Sequence, residues 1–389
     1  MLLDEPPLPV IGPHGPDSTD RPGCPGRSSR GAVAEIAGPA VAAVAVAWLP
    51  FHMLGVSAPV GQVVCWAIAF VAIYGLVSWR LHGVLGMKDR LGNVYVWGGG
   101  AIALAPLLLI VWFVISQGWK VVFTDFPHFL VTNLAHTLPT DPYTKSGMYH
   151  AIIGTLEQVG LATVITAPIG VLTAVYLNEI AGRLANVVRT IVDAMSGVPS
   201  IIAGLFVYLV WVLPRGTNGY SGFAGSMAIS ILMVPIITRT SEEVLRIVPG
   251  SLREASLALG GTEWRTIVRV VLPTARAGLI TGVILGVARG VGETAAVLFT
   301  VFGSRTTNYN PFSHPQADLP LQVLSNVQSS NQNFIDEAHG GALVLVALVL
   351  TLFTLARIIG RRSSSRVSIW RRLAETWPRA TQVTDSTSE

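Results

Sequence analysis

The chain has 389 residues, of which 51% are hydrophobic and only 12% charged, and its mean hydropathy is +0.56. So few charges cannot cover a water-soluble surface, so a polytopic membrane protein is expected rather than a set of soluble domains. The 26 cations and 22 acids are spread thinly, which argues against nucleic acid as a partner, and Cys24 and Cys65 lie too far apart for a zinc site or disulfide framework.

The first 30 residues hold seven prolines and four glycines among polar residues, a composition that predicts a disordered tail at 1–30. No cleavage context marks it as a signal peptide. Residues 36–79 then run for 44 positions without Asp, Glu, Lys or Arg, too many for one crossing of about 20 residues. Pro50, His52 and Pro59 divide the run into helices expected near 38–55 and 60–78. A third helix is expected near 96–117, followed by a polar segment at 118–149. Further charge-free runs at 158–178, 194–214, 216–238 and 338–356 supply four more spans. A span at 276–302 is interrupted by Arg289 and Glu293, which makes about eight transmembrane helices in an all-α fold. A polar segment at 303–339 and a basic-then-polar tail at 361–389 complete the chain, the segment as a docking site or a plain loop, the tail as an anchor near anionic lipid.

Lys and Arg collect on the cytoplasmic side of membrane proteins. With both termini inside, 21 cations fall on inner segments and four (Lys120, Lys145, Arg215 and Arg305) on outer ones. That bias sets the expected orientation.

The stretch 241–276, SEEVLRIVPGSLREASLALGGTEWRTIVRVVLPTAR, lies inside in this topology. Leu245, Val248, Leu252 and Leu257 recur at roughly helical spacing, Gly260-Gly261 breaks the helix, and Thr262 is placed to cap a second one. Pro273 is expected to stop that second helix before the next span. Two short amphipathic helices on a glycine hinge suit insertion into a groove of another protein, or equally a position at the membrane surface.

The run Glu254-Ala255-Ser256, three residues, Gly260, nine residues, Val270, one residue, Leu272-Pro273 resembles the EAA loop of ABC importer permeases. Ser256 replaces the second Ala of that pattern and Val270 the usual Ile. The resemblance implies that Glu254, Ala255, Ser256, Gly260, Gly261, Leu272 and Pro273 couple the chain to a cytoplasmic ATPase. The stretches Thr238–Glu243 and Ala288–Ala295 are similar to the A-type permease subunit of phosphate-specific (Pst) transporters. That likeness covers roughly 96–360 and implies a six-helix type I importer core with the coupling loop at 241–273. Residues 31–95 would then form an extra two-helix membrane segment of open role. The resemblance further implies a second homologous permease subunit, an ATPase dimer, an extracytoplasmic phosphate-binding protein, and the plasma (inner) membrane of a prokaryote as location.

A Walker A motif is missing. The three lysines, Lys88, Lys120 and Lys145, follow Met87, Trp119 and Thr144, so another chain must hydrolyse ATP if this protein pumps with it; no cofactor is expected in this chain, with ATP and Mg bound by the partner ATPase.

Gly278, Gly282, Gly286 and Gly290 repeat every four residues, a stripe that lets another helix approach closely. Arg289 and Glu293 are placed roughly on the stripe's face, pointing into the bundle, and their spacing of four lets them pair. Either the pair braces the helices or Arg289 offers its fork of donors to an oxyanion. In the second reading Glu293 holds the guanidinium in position, or accepts the proton of hydrogen phosphate and so disfavours sulfate. Arg239, Asp193 and Thr294 join the expected substrate pathway. For Arg239 the plain reading is snorkelling to the interface, and for Asp193 pairing with Arg189. Gly197 and Pro199 are placed to open the helix beside Asp193. Glu157 reads as a wetted interface residue, and Trp97, Trp112, Trp119, Tyr208 and Trp211 as belt and packing residues.

The expected function is thus the permease subunit of an ATP-driven phosphate importer, with sulfate or molybdate as the alternative cargo. Two other classes fare worse. Gly290-Val291-Gly292-Glu293 only superficially matches the GxGD of intramembrane aspartyl proteases, and HExxH is missing. A stand-alone channel or secondary transporter leaves the loop at 241–273 without a role.

Overall fold

The computed structural model describes residues 37–46, 48, 59–135, 137 and 141–375. The expected tail at 1–30, most of the turn inside 36–79 and the final residues 376–389 lie outside them. Among the described residues the chain is helical, with a lone parallel bridge between Phe302 and Gln316. It divides into two compact units, residues 1–109 and 110–389.

In the first unit a short helix α1 (Ala37–Val46) packs on the start of α2 (Pro59–Thr124), where Trp66 Nε1 donates to the Ala40 carbonyl at 3.3 Å. Trp66, Phe70 and Tyr74 stack along one face of α2. At about 1.5 Å per residue, 66 residues in one straight helix would far exceed a bilayer. The helix breaks at Gly83, whose φ of +70° admits the turn. Leu91 then comes to 3.5 Å from where a Cβ on Gly75 would stand, and Arg90 bonds His82 at 3.2 Å, so the chain folds back on itself. The span expected at 60–78 is one arm of this hairpin and the start of that expected at 96–117 continues the other; among the described residues α2 counts as one of six long apolar helices.

The second unit takes up the last turns of α2, where Gly118 lies against His339 and Leu343. There follow α3 (His128–Val131), α4 (Tyr149–Val175), α5 (Ala185–Ser196) and α6 (Ser200–Val207). Gly197 caps α5 and Pro199 opens α6, so the helix does break at the expected place beside Asp193. A π turn at Tyr208–Val212 and a 3-10 stretch to Gly219 lead into α7 (Gly222–Ile247), capped by Ser221, whose Oγ accepts from the Ala224 amide at 3.2 Å. α7 is the most buried span and packs against α4, α5, α6 and the later α10 (Leu272–Val291).

The glycine stripe explains how α10 approaches α7. A Cβ on Gly278 would stand 2.4 Å from Val244, one on Gly286 2.7 Å from Ile237, and one on Gly290 2.9 Å from the Met233 sulfur. Ala162, Ile229, Met233, Ile237 and Val291 close the middle of this core, and Leu245, Val248, Ile267 and Val271 its end.

Between α7 and α10 stand α8 (Gly250–Ala258) and α9 (Glu263–Thr266). Pro273 does not stop α9, contrary to expectation. A π turn at Ile267–Val271 feeds directly into α10, and Pro273 follows it in the first turn of α10, where the wider turn accommodates the ring and the missing amide. Within the span expected at 276–302 the helix ends at Val291, between the two interrupting charges, and a four-residue helix α11 (Ala295–Leu298) follows a turn at Gly292. Two helices complete the unit: α12 (Leu319–Val327), and α13 (Gln332–Glu375), which carries helix well past the expected span at 338–356.

Candidate functional site: two charged clusters and an exposed hairpin

Three groups of polar residues stand on this frame. The first sits at the break after α10. Arg289, in its last turn, lies 3.5 Å from the Glu293 carboxylate. Glu293 is buried at 5% exposure, and its Oε1 also accepts from the Ala296 amide at 3.5 Å. The helix ends in a turn at Gly292, and Thr294 precedes α11 with no side-chain cap. Arg289 departs from expectation. Its side chain is 54% exposed rather than turned into the bundle with the glycine stripe, because the stripe's space is filled by α7 and only the residue after the break turns inward. The result is a guanidinium held from behind by a buried carboxylate, with donors left over for an oxyanion.

The second group lies where α5 meets α7. Glu242 is buried and accepts from three arginines: Arg189 of α5 at 2.9 Å, Arg239 at 2.8 Å and Arg246 at 2.7 Å. Arg239 also reaches Asp193 across the two helices. Arg239 is therefore engaged on both sides instead of snorkelling freely, and Asp193 pairs with Arg239 instead of Arg189. Glu242 was missed as a site residue, although arginines three before and four after it on a helix are the pattern that identifies such a node. The packing register sets Thr240 against Gly282 and Met233 against Gly290. Arg239 thus stands roughly two turns from Arg289 along the bundle, and the two groups remain separate.

The third group is the α8–α9 hairpin. No residue of α8 is buried, so Glu254 and Ala255 are free to meet a partner. Gly260 takes φ +81° at the turn, which a side chain would strain. Gly261 packs on the Ser256 carbonyl, and the Ser256 and Thr266 hydroxyls bond at 2.8 Å, closing the hairpin. Thr262 caps α9 as expected, its Oγ1 accepting from Arg265. Leu259 and Trp264 are largely exposed, whereas Leu272 packs partly into the core and Pro273 faces outward. The base is anchored by Arg253, which grips both oxygens of Glu179 at 2.7 and 3.0 Å and donates to the carbonyls of Val248 and Leu245. The Glu179 carboxylate raises the Arg253 guanidinium's pKa above its usual range. Neither Glu179 nor Arg253 was singled out from sequence, since 74 residues separate them.

At the other end of the bundle the 303–318 segment is fastened to α4. Gln158 donates to Gln316 and to the Ala317 carbonyl, and Thr155 donates to Asp318 at 3.0 Å. Glu157 accepts from Gln316 at 2.5 Å, so it is a docking residue here rather than a wetted one. Burial pushes the Asp318 carboxyl up to about 7, against the opposing hydrogen bonds from Thr155 and the Leu321 amide.

Residues 166–369 match the family model of the binding-protein-dependent transport system inner membrane component. The phosphate transport system permease protein PstA 1 of Mycobacterium tuberculosis (strain H37Rv) is 39% identical over 70% of this chain and 87% of its own length. The corresponding PstA protein of Mycobacterium leprae is 38% identical over 68% of this chain and 85% of its own. An inward-facing methionine ABC transporter superposes on 56% of this chain with a TM-score of 0.43 and 22% identity, covering 94% of that structure. The chain is a multi-pass membrane protein and belongs to the family of binding-protein-dependent transport system inner membrane components.

Proposed function

We propose that this chain is the membrane permease subunit of an ATP-driven importer of inorganic phosphate. The observation that carries the reading is the Arg289–Glu293 pair at the end of α10, an exposed guanidinium backed by a buried acid. The likeness to phosphate permeases over most of the chain supports the same cargo.

In this reading the chain lies in the plasma (inner) membrane of a prokaryote with both termini in the cytoplasm. An extracytoplasmic phosphate-binding protein delivers the anion, and this chain with a second homologous permease forms the pathway. A cytoplasmic ATPase dimer, which binds ATP and Mg, seats the α8–α9 hairpin through Glu254, Ala255 and Ser256. The hairpin transmits movement because it is rigid at its base: Arg253 ties it to Glu179 in the π turn Tyr176–Ile180 that follows α4, and the π turn after α9 runs on into α10 without a joint. Differential seating of the hairpin in the nucleotide-bound and nucleotide-free ATPase is what shifts the bundle between its two states. The Arg239–Asp193–Glu242 cluster lines the inner part of the pathway.

Glu293 accepts the proton of hydrogen phosphate beside Arg289, which sulfate does not carry. Glu293→Gln is therefore expected to narrow the preference for phosphate over sulfate by roughly tenfold, the worth of one charge-assisted hydrogen bond. An unchanged ratio in competition uptake would remove Glu293 from selection. The function itself is tested by micromolar uptake of radiolabelled phosphate, sulfate and molybdate in cells lacking the chain. Loss of phosphate uptake alone, restored by the wild-type chain, is expected; loss of sulfate or molybdate uptake instead would reassign the cargo.

A further inference from the structure

α7 ends at Ile247, and Val248 and Pro249 separate it from α8. Val248 leaves the helix with ψ +122°, so the chain turns a corner there. The backbone bonds beside it, from the Val248 amide to the Leu245 carbonyl and from the Leu252 amide to the Pro249 carbonyl, each stay on one side of the corner. Arg253 crosses it. From α8 its Nη1 donates to the Val248 carbonyl at 2.8 Å and its Nη2 to the Leu245 carbonyl at 3.1 Å, in the last turn of α7, where a helix leaves carbonyls short of donors. Nη2 and Nε also hold the two Glu179 oxygens at 2.7 and 3.0 Å, in the π turn that follows α4. Glu179 is 7% exposed, and the Asn178 amide donates to its Oε1 at 2.6 Å, which keeps the carboxylate aimed at Arg253. Four of the five guanidinium N–H groups are therefore engaged within this chain. In this Arg253 is the opposite of its neighbour Glu254, which is exposed.

We propose that Arg253 is a positioning residue that locks the elbow between α7 and α8, and that Glu179 holds it in place, so that the hairpin, the end of α4 and the end of α7 move as one body. The proposal rests on the reading of the α8–α9 hairpin as the seat of the ATPase. With the lock closed, a displacement of α8 must carry Glu179 and the last turn of α7 with it. With the lock open, torsions at Val248 and Pro249 let the hairpin swing at its α7 end, and ATP is hydrolysed with little movement of the spans. An arginine is required because its planar fork reaches a carboxylate and two carbonyls in different directions, whereas a lysine ammonium is a single point.

The test uses the complete transporter in proteoliposomes and measures phosphate moved per ATP hydrolysed. Arg253→Gln and Glu179→Gln are expected to hydrolyse ATP near the wild-type rate and to move several-fold less phosphate per ATP, with Arg253→Lys between them and the wild type. The second readout is the distance distribution between spin labels at positions 172 on α4 and 259 at the hairpin tip, both exposed, in a chain whose Cys24 and Cys65 are replaced by serine. A narrow distribution is expected for the wild type and a broad one for Arg253→Gln and Glu179→Gln. If Arg253→Gln does not assemble, Arg253→Lys, which keeps the charge, and Glu179→Gln carry both readouts. An unchanged phosphate-to-ATP ratio overturns the proposal, and so does a lowered ratio with an unchanged distribution, because the pair would then act elsewhere than at the elbow. A wild type that hydrolyses ATP without moving phosphate would count against the assigned cargo instead, and the distance distributions would still decide whether the elbow is locked.

Discussion

Three guanidinium groups converge on the Glu242 carboxylate, and the buried acid is what lets them share so small a space. Glutamine at this position would keep the volume and leave like charges facing a neutral amide. Removing one member of a buried ionic cluster costs about 3–5 kcal/mol, and partial exposure of these arginines sets the expectation near the lower end. Glu242→Gln is therefore expected to lower the thermal midpoint of the purified transporter by several degrees; an unchanged midpoint would show that solvent already satisfies the arginines. Asp318 presents the opposite electrostatic case. Its carboxyl is pushed up to about 7 in the fold from 3.8, so the folded chain holds a proton that the unfolded chain has released. The stabilising contribution is complete below about pH 4 and is lost as pH rises through about 7. Thermal midpoints at pH 5 and pH 8 should differ less for Asp318→Asn than for the wild type, and equal differences would contradict the assignment.

At the scale of elements, the spacing of small residues was the most legible feature of the sequence. Gly278, Gly282, Gly286 and Gly290 announce a close helix contact, and each meets α7 within a few ångströms of where a side chain would begin. Gly286→Val would drive a branched side chain into Ile237, and overpacking of this kind costs typically 1–3 kcal/mol. A fall in the thermal midpoint of the assembled transporter is expected; a stable variant would mean that α10 can slide away freely. The hairpin caps were equally legible, because Thr262 and Gly260 act locally. What sequence did not reveal were features that depend on distant partners or on a change of helical register. Pro273 reads as a stop until the π turn before it is seen to absorb the missing amide. Arg289 reads as facing the bundle until the helix ends at Val291 and sends Glu293 inward alone. The Glu179–Arg253 and Glu242–Arg189 links join residues far apart in the chain, and no spacing rule points to them.

For the whole molecule, the arrangement separates three tasks along the bundle. The exposed hairpin at one end is braced against α4 and α10, the Glu242 cluster and the Arg289–Glu293 pair follow at successive levels, and the 303–318 segment is fastened over α4 at the far end. The hairpin continues through the π turn into α10, the helix that holds Arg289, and in the proposed importer that connection would carry its movement. The importer's chemical content rests on one guanidinium. The most direct test is the initial rate of micromolar phosphate uptake in cells whose only copy of this chain carries Arg289→Ala, at matched membrane levels. A drop of roughly 100-fold is expected, since a charged hydrogen-bonding partner of the anion is worth about 1.5–3 kcal/mol and two such bonds are lost. Uptake equal to that of the wild type would contradict the account by showing that phosphate crosses without Arg289.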